Sequence, residues 1–113
     1  SEAGANLALS SDYYTSPGPA LLDFYTAHTR ANRAGMPPGG WQPQNRLTRE
    51  ESLRIATSLC QNGGGIPSGG TIRVGAPANL VVLSANPLTT NESNLLSIGV
   101  QRTLRRGKVT HRA

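Results

Sequence analysis

The sequence predicts an α/β chain of short elements, one early strand, then two helices, then a run of later strands, and three stretches carry that expectation. "LTREESLRIATSLC" has the start signal and apolar stripe of an amphipathic helix. "GTIRVGAPANLVVLSANPL", residues 70–88, places two apolar runs on either side of a Gly-Pro turn, as two strands would be. The last stretch alternates through Ile98, Val100 and Leu104, turns at "RRGK", and resumes at Val109, the pattern of a β-hairpin. Thirteen glycines, eight prolines and only 4% aromatic residues in 113 fit turn-rich, short elements better than a dense helical bundle.

The elements follow in order. "ANLALSSDYYTSP" is apolar and small up to Leu9 and polar from Ser10, so it reads as a buried strand running into a loop at Asp12. Pro17, Gly18 and Pro19 break the chain, and a helix is expected to begin there with a proline in its first turn. In "ALLDFYTAHTRANRAG" residues Leu21, Tyr25 and His28 share one helical face, and Gly35 is the expected stop. Residues 35–46 form a Pro/Gly-rich connector whose Trp41 is either a plug over the core or the rim of a pocket, with the plug as the expected reading. Thr48 caps the second helix, Glu51 completes its capping box, and Leu53, Ile55, Ala56, Leu59 and Cys60 form the stripe. "QNGGGIPSGG" separates two layers. "TIRV" and "LVVL" are expected strands, and the unbroken apolar character of "LVVL" predicts cover on both faces. "SANPLTTNESN" reads as a loop.

Composition and charge narrow the function classes. The net charge is +5, and Arg102, Arg105, Arg106, Lys108 and Arg112 gather at the C-terminus. A polyanionic partner is therefore a candidate, but almost no aromatics accompany those cations to stack on bases, so nucleic acid is not expected. The alternative is a solvated basic edge strand that deters edge-to-edge pairing. One cysteine, Cys60, excludes an internal disulfide framework and a multi-cysteine zinc site. No apolar run reaches membrane-spanning length, so no membrane partner is expected, and the compartment stays open.

Groups that could do chemistry are few. Asp12 is the candidate, because a carboxylate just past a buried strand stands where parallel α/β barrels place catalytic groups, although such residues also cap turns. His28 reads as a packing residue and His111 as a strand-edge residue. Glu50 and Glu51 lie in a helix's first turn, where the dipole accounts for them. Without HxH, HExxH, CxxC or GxSxG, and without the flanks of a phosphate-binding loop around Gly63, Gly64 and Gly65, the residues do not make a complete metalloenzyme or triad hydrolase.

Taken in order, "LALSSDYYTSP", "WQPQNRLTREESLRIAT", "GTIRVGAPANLVVLSANPL" and "VQRTLRRGKVTH" resemble the C-terminal end of an amidohydrolase-superfamily enzyme. The nearest branch includes the N-substituted formamide deformylases. The resemblance spans nearly the whole chain. It implies the last strand and closing helices of a (β/α)8 metal-dependent hydrolase barrel in residues 1–62, followed in 63–113 by strands of a small composite β-sandwich. It also implies a divalent metal, zinc by expectation, in the complete enzyme, with none expected for this chain alone. Asp12 matches the family's aspartate that binds metal and takes a proton from the metal-bound water attacking an amide-type carbonyl.

Four departures stand out. Ser10 and Ser11 precede Asp12 where Gly-Ser is common, Tyr13 and Tyr14 follow it, Asn79 replaces an aspartate, and Ala76 often has lysine in its place. The HxH strand, the bridging lysine or carboxylate and the later histidines are absent, and a full barrel takes about 250 residues. The chain is therefore expected to be a C-terminal portion, inactive alone, that depends on a missing N-terminal part or self-associates. Its substrate would be a small amide-type molecule met only by the complete enzyme. The rival expectations are a small α+β binding module with a basic C-terminal strand for an anionic partner, and a degenerate, non-catalytic interaction domain.

Overall fold

Local hydrogen bonding sets the ends of both helices in the computed structural model, which describes residues 4, 7–12, 14, 15, 18–59 and 69–113. Helix α1 spans Ala20–Thr29, with Pro19 as its extended N-cap and not inside the first turn. It stops at Arg30 in the left-handed conformation, well before Gly35, with the Arg30 N–H still donating to Thr26 O. Thr29 accounts for the early stop: its hydroxyl donates to Tyr25 O at 2.8 Å and accepts the Ala31 N–H at 3.2 Å. That hydroxyl gives the departing backbone a local partner in place of a further helical turn.

Helix α2 spans Arg49–Ala56, and its capping box forms as the sequence predicts. The Glu51 N–H donates to Thr48 Oγ1 at 3.2 Å, and the Thr48 N–H donates to Glu51 Oε2 at 2.8 Å. The helix is shorter than expected, because the Leu59 N–H bonds back to Arg54 O and ends the regular ladder. Its inner face is Ser52 and Ile55 with Leu53 beside them, while Ala56 is exposed. Ser52 tolerates full burial because its hydroxyl donates to Thr48 O at 2.9 Å. Cys60 and the run Gly63 to Gly65 lie outside the described residues.

Three strands follow as an antiparallel meander: β1 (Leu80–Leu83), β2 (Val100–Arg105) and β3 (Lys108–Arg112), in that spatial order. Arg106 and Gly107 make the two-residue turn between β2 and β3 with φ 49° and 78°, the doubly positive pattern that matches strand twist. Asn79, standing where the resembled family usually has aspartate, accepts the Arg106 N–H on Oδ1 at 2.9 Å. A carboxylate oxygen would accept it equally well, so the replacement preserves the contact.

Two strand expectations are corrected. "TIRV" forms no strand; Ile72 is 91% and Val74 104% exposed, and the segment ends in a turn closed by the Ala76 N–H to Arg73 O. β-branched residues favour a strand only where a neighbouring strand accepts their ladder, and none does so among the described residues. "LVVL" is a strand, but Val81 and Val82 are exposed, so neither face is fully covered among the described residues. The register puts Leu80, Val82, Leu104 and Val109 on one face with Arg102 and Arg112, and Val81, Thr103, His111, Arg105 and Lys108 on the other.

The core joins early and late sequence. Phe24, Tyr25 and Ala31 from α1 and its exit pack against Leu95 and Ile98, with Leu21, Leu22, Leu53, Leu83 and Leu96 around them. Leu95 is 1% exposed. It lies in a 3-10 helix, Glu92–Ser97, within what the sequence reads as loop and return. Among the described residues, no helix is long and apolar enough to cross a membrane.

Candidate functional site

Residues 7–12 form an extended segment that, among the described residues, joins no strand. The Leu9 N–H donates to Ile55 O at 3.2 Å, which lays the segment against α2. Leu7 and Leu9 are half-buried while Ala8, Ser10 and Asp12 face outward, so the alternation of a strand is present without a ladder. The buried strand expected here is not seen, because no neighbouring strand among the described residues covers it.

Asp12 ends the segment in the left-handed conformation, φ 47°. Its N–H reaches Ser10 Oγ at 3.3 Å, and its carbonyl accepts the Thr15 N–H at 2.8 Å. Aspartate is among the few non-glycine residues that accept such a φ, and the two bonds hold its backbone in place. The carboxylate is exposed and makes no hydrogen bond or ion pair with another described residue.

Beside it, an open cavity of about 410 Å³ lies between the segment and α1, lined by Leu7, Leu9, Ser10, Asp23 and Arg30 among others. A smaller one of about 290 Å³ is lined by Ser10, Ser11, Asp23 and Ala56. Asp12 lines neither, and Asp23 lines both. The sequence reading does not single out Asp23. A carboxylate in the first turn of a helix already has an electrostatic reason to be there, so no signal beyond its nearness to the Asp12 loop marks it.

The other candidates disperse. His28 sits between α1 and the later chain, where Nδ1 lies 3.1 Å from Leu47 O and Nε2 lies 3.3 Å from the donating Arg49 Nε. A carbonyl only accepts and a guanidinium only donates, so this pairing makes Nδ1 the donor to Leu47 O and Nε2 the acceptor from Arg49. Glu92 Oε2 is 3.6 Å from Nε2. The Arg49 guanidinium also donates to the carbonyls of Pro87, Leu88 and Thr90. His28 therefore belongs to a structural network, as the packing expectation held. His111 lies opposite Thr103 on the exposed strand β3. Glu51 serves the capping box and Glu50 the same first turn. Tyr14 is exposed, and Tyr13 lies outside the described residues.

A structural or catalytic zinc centre draws on three or four side-chain donors. No three of His, Cys, Asp and Glu converge among the described residues. These residues do not by themselves fit a metal ion. Asp12 is one ligand at most, presented outward.

Trp41, expected as a plug, is 59% exposed and stands on the rim of a third, larger groove.

The model of a family described as the amidohydrolase family matches residues 1–111 of the chain. No curated protein and no solved structure matches it.

Proposed function

The chain belongs to the amidohydrolase family, and on that premise we propose that it is the C-terminal portion of a metal-dependent amidohydrolase that cleaves an amide-type C–N bond. Residues 1–62 would be the last strand and closing helices of its barrel and 63–113 part of its β-sandwich. N-substituted formamides are the substrate class its motifs resemble. One observation carries the reading: Asp12 ends the first extended segment with a fixed backbone and an exposed carboxylate that no described residue engages. A carboxylate held at the end of an extended segment, and engaged by no described residue, fits a group that completes a site built by other residues.

In the complete enzyme a divalent metal would acidify the attacking water; its other ligands are not among the described residues. The part assigned to this chain is proton transfer. The Asp12 carboxylate takes a proton from the water and returns it to the departing nitrogen, so that an amine leaves in place of a poor amide anion. Ser10 Oγ, accepting the Asp12 N–H, holds the backbone from which that carboxylate projects.

The reading frame immediately upstream provides the test. An in-frame HxH strand followed by two further histidines is expected, and its absence would make this a degenerate, non-catalytic domain instead. The 113-residue chain alone is expected to hold no stoichiometric zinc and to turn over no amide, so measured zinc at one per chain or real hydrolysis would refute the assignment.

A second reading rests on the hairpin. Arg102 faces Arg112 and Arg105 faces Lys108 across β2 and β3. Directly opposed like charges destabilise a sheet by up to about 1 kcal/mol, and an anionic partner would relieve that repulsion. Retention on heparin that falls steeply with salt would favour this reading; passage through the column at low salt would remove it.

A further inference from the structure

The connector from α1 to α2 is more tightly held than its glycine and proline content implies. Asn32 donates its N–H to Met36 O at 2.8 Å and accepts the Ala34 and Met36 N–H groups on Oδ1 at 2.9 and 3.1 Å. The Trp41 N–H donates to Arg30 O at 2.8 Å, and Arg30 Nε donates back to Trp41 O at 3.2 Å, closing the loop. Gly40 has positive φ, and a side chain there would collide with the Thr29 carbonyl. The loop is therefore built open and locked open.

It encloses a groove of about 650 Å³ whose walls include Leu22, Met36, Pro37 and Trp41. Arg33 and Arg30 also line it, the Arg30 guanidinium lying 5.1 Å from the centre of the Trp41 ring. No carboxylate lines the groove, and neither arginine has an ionic partner among the described residues. Pre-formed clefts of this size, apolar with a few charged groups, are the usual form of small-molecule sites. A guanidinium fork matches a carboxylate in shape and charge. A neutral ligand would leave both forks unmatched, and an amine would be repelled.

We propose that this groove binds a small apolar carboxylate, with its hydrocarbon part against Leu22, Met36 and Pro37 and its carboxylate at Arg33, backed by Arg30. The site is separate from Asp12, which does not line it, and does not rest on the hydrolase reading.

Trp41 is the only tryptophan in the chain, so its emission reports on the groove. The chain is titrated at constant ionic strength with phenylacetate, phenylacetamide and phenethylamine. Phenylacetate is expected to shift the emission saturably, with the amide about tenfold weaker and the amine weaker still, as loss of a charge-assisted pair implies. Arg33→Ala should bring phenylacetate down to the level of the amide, while the charge-matched control Arg73→Ala, an exposed arginine outside the groove, leaves it unchanged. Equal binding of acid and amide, no saturation by the acid, or an equal loss in Arg73→Ala would each overturn the proposal. So would an emission shift that follows protein concentration without ligand, because a second copy would then fill the groove.

Discussion

Arg49 ties the early chain to the late one. Its guanidinium reaches three main-chain carbonyls between Pro87 and Thr90 as well as His28 Nε2. Hydrogen bonds to a charged group are worth about 1.5–3 kcal/mol each where water is excluded, and less at this half-buried site. Arg49→Ala is therefore expected to lower the urea midpoint by the equivalent of roughly 2 kcal/mol. Arg49→Lys should recover little of it, because an ammonium cannot span a fan of carbonyls; full recovery would reduce the role to charge alone. Sequence reasoning passed over Arg49 because its acceptors are backbone oxygens far along the chain, and backbone oxygens have no letter. Asp12 was legible for the opposite reason: its neighbours change from apolar to polar at Ser10, and the left-handed φ at its own position is one that its residue type accepts. For that carboxylate, Asp12→Asn in the complete enzyme should abolish turnover without moving the unfolding midpoint, since the side chain engages no described residue. A comparable loss of stability would show Asp12 to be a structural cap.

Elements defined by local chemistry were legible, and those defined by distant partners were not. The α2 capping box joins residues three apart, so Thr48 and Glu51 announce it in sequence. Thr48→Ala should cost about 1 kcal/mol, read as a lower chemical midpoint with an unchanged denaturant slope. The β2–β3 turn is equally local. Gly107→Ala should cost about 1–2 kcal/mol, because φ at that position is 78° and a Cβ disfavours it; a neutral result would mean the turn can adopt another type. "TIRV" misled because β-branched composition predicts compatibility with a strand but not the presence of a partner. Leu95 was lost in a polar stretch, since a 3-10 helix of six residues has too few turns to show a period. The end of α1 was misplaced by five residues because a threonine hydroxyl ended it before the glycine was reached.

At the scale of the whole molecule, apolar sequence reports what must be covered, and the structure shows how much of that cover this chain supplies. The cluster around the 3-10 helix of Leu95 and α1 is closed by residues from both halves, whereas Val82, Val100 and Val109 remain exposed on the sheet. An all-apolar "LVVL" with exposed valines would find its cover in a second layer, such as the composite sandwich of the proposed enzyme would supply.

Without that layer the sheet should behave as a sticky surface. The isolated chain is expected to bind a hydrophobic dye and to sediment as larger species with rising concentration, against the opposing repulsion of its +5 net charge. Raising the salt should strengthen the association, because screening removes the repulsion and leaves apolar burial intact. Val82→Thr with Val109→Thr, both at exposed positions of the sheet, should weaken both signals while leaving the helices at their original melting behaviour. A chain that sediments as a single monomer at every concentration and salt, with no dye uptake, would show that the sheet needs no cover. The barrel-and-sandwich reading would then lose its physical support, because exposed valines would be a stable surface and not half of an interface.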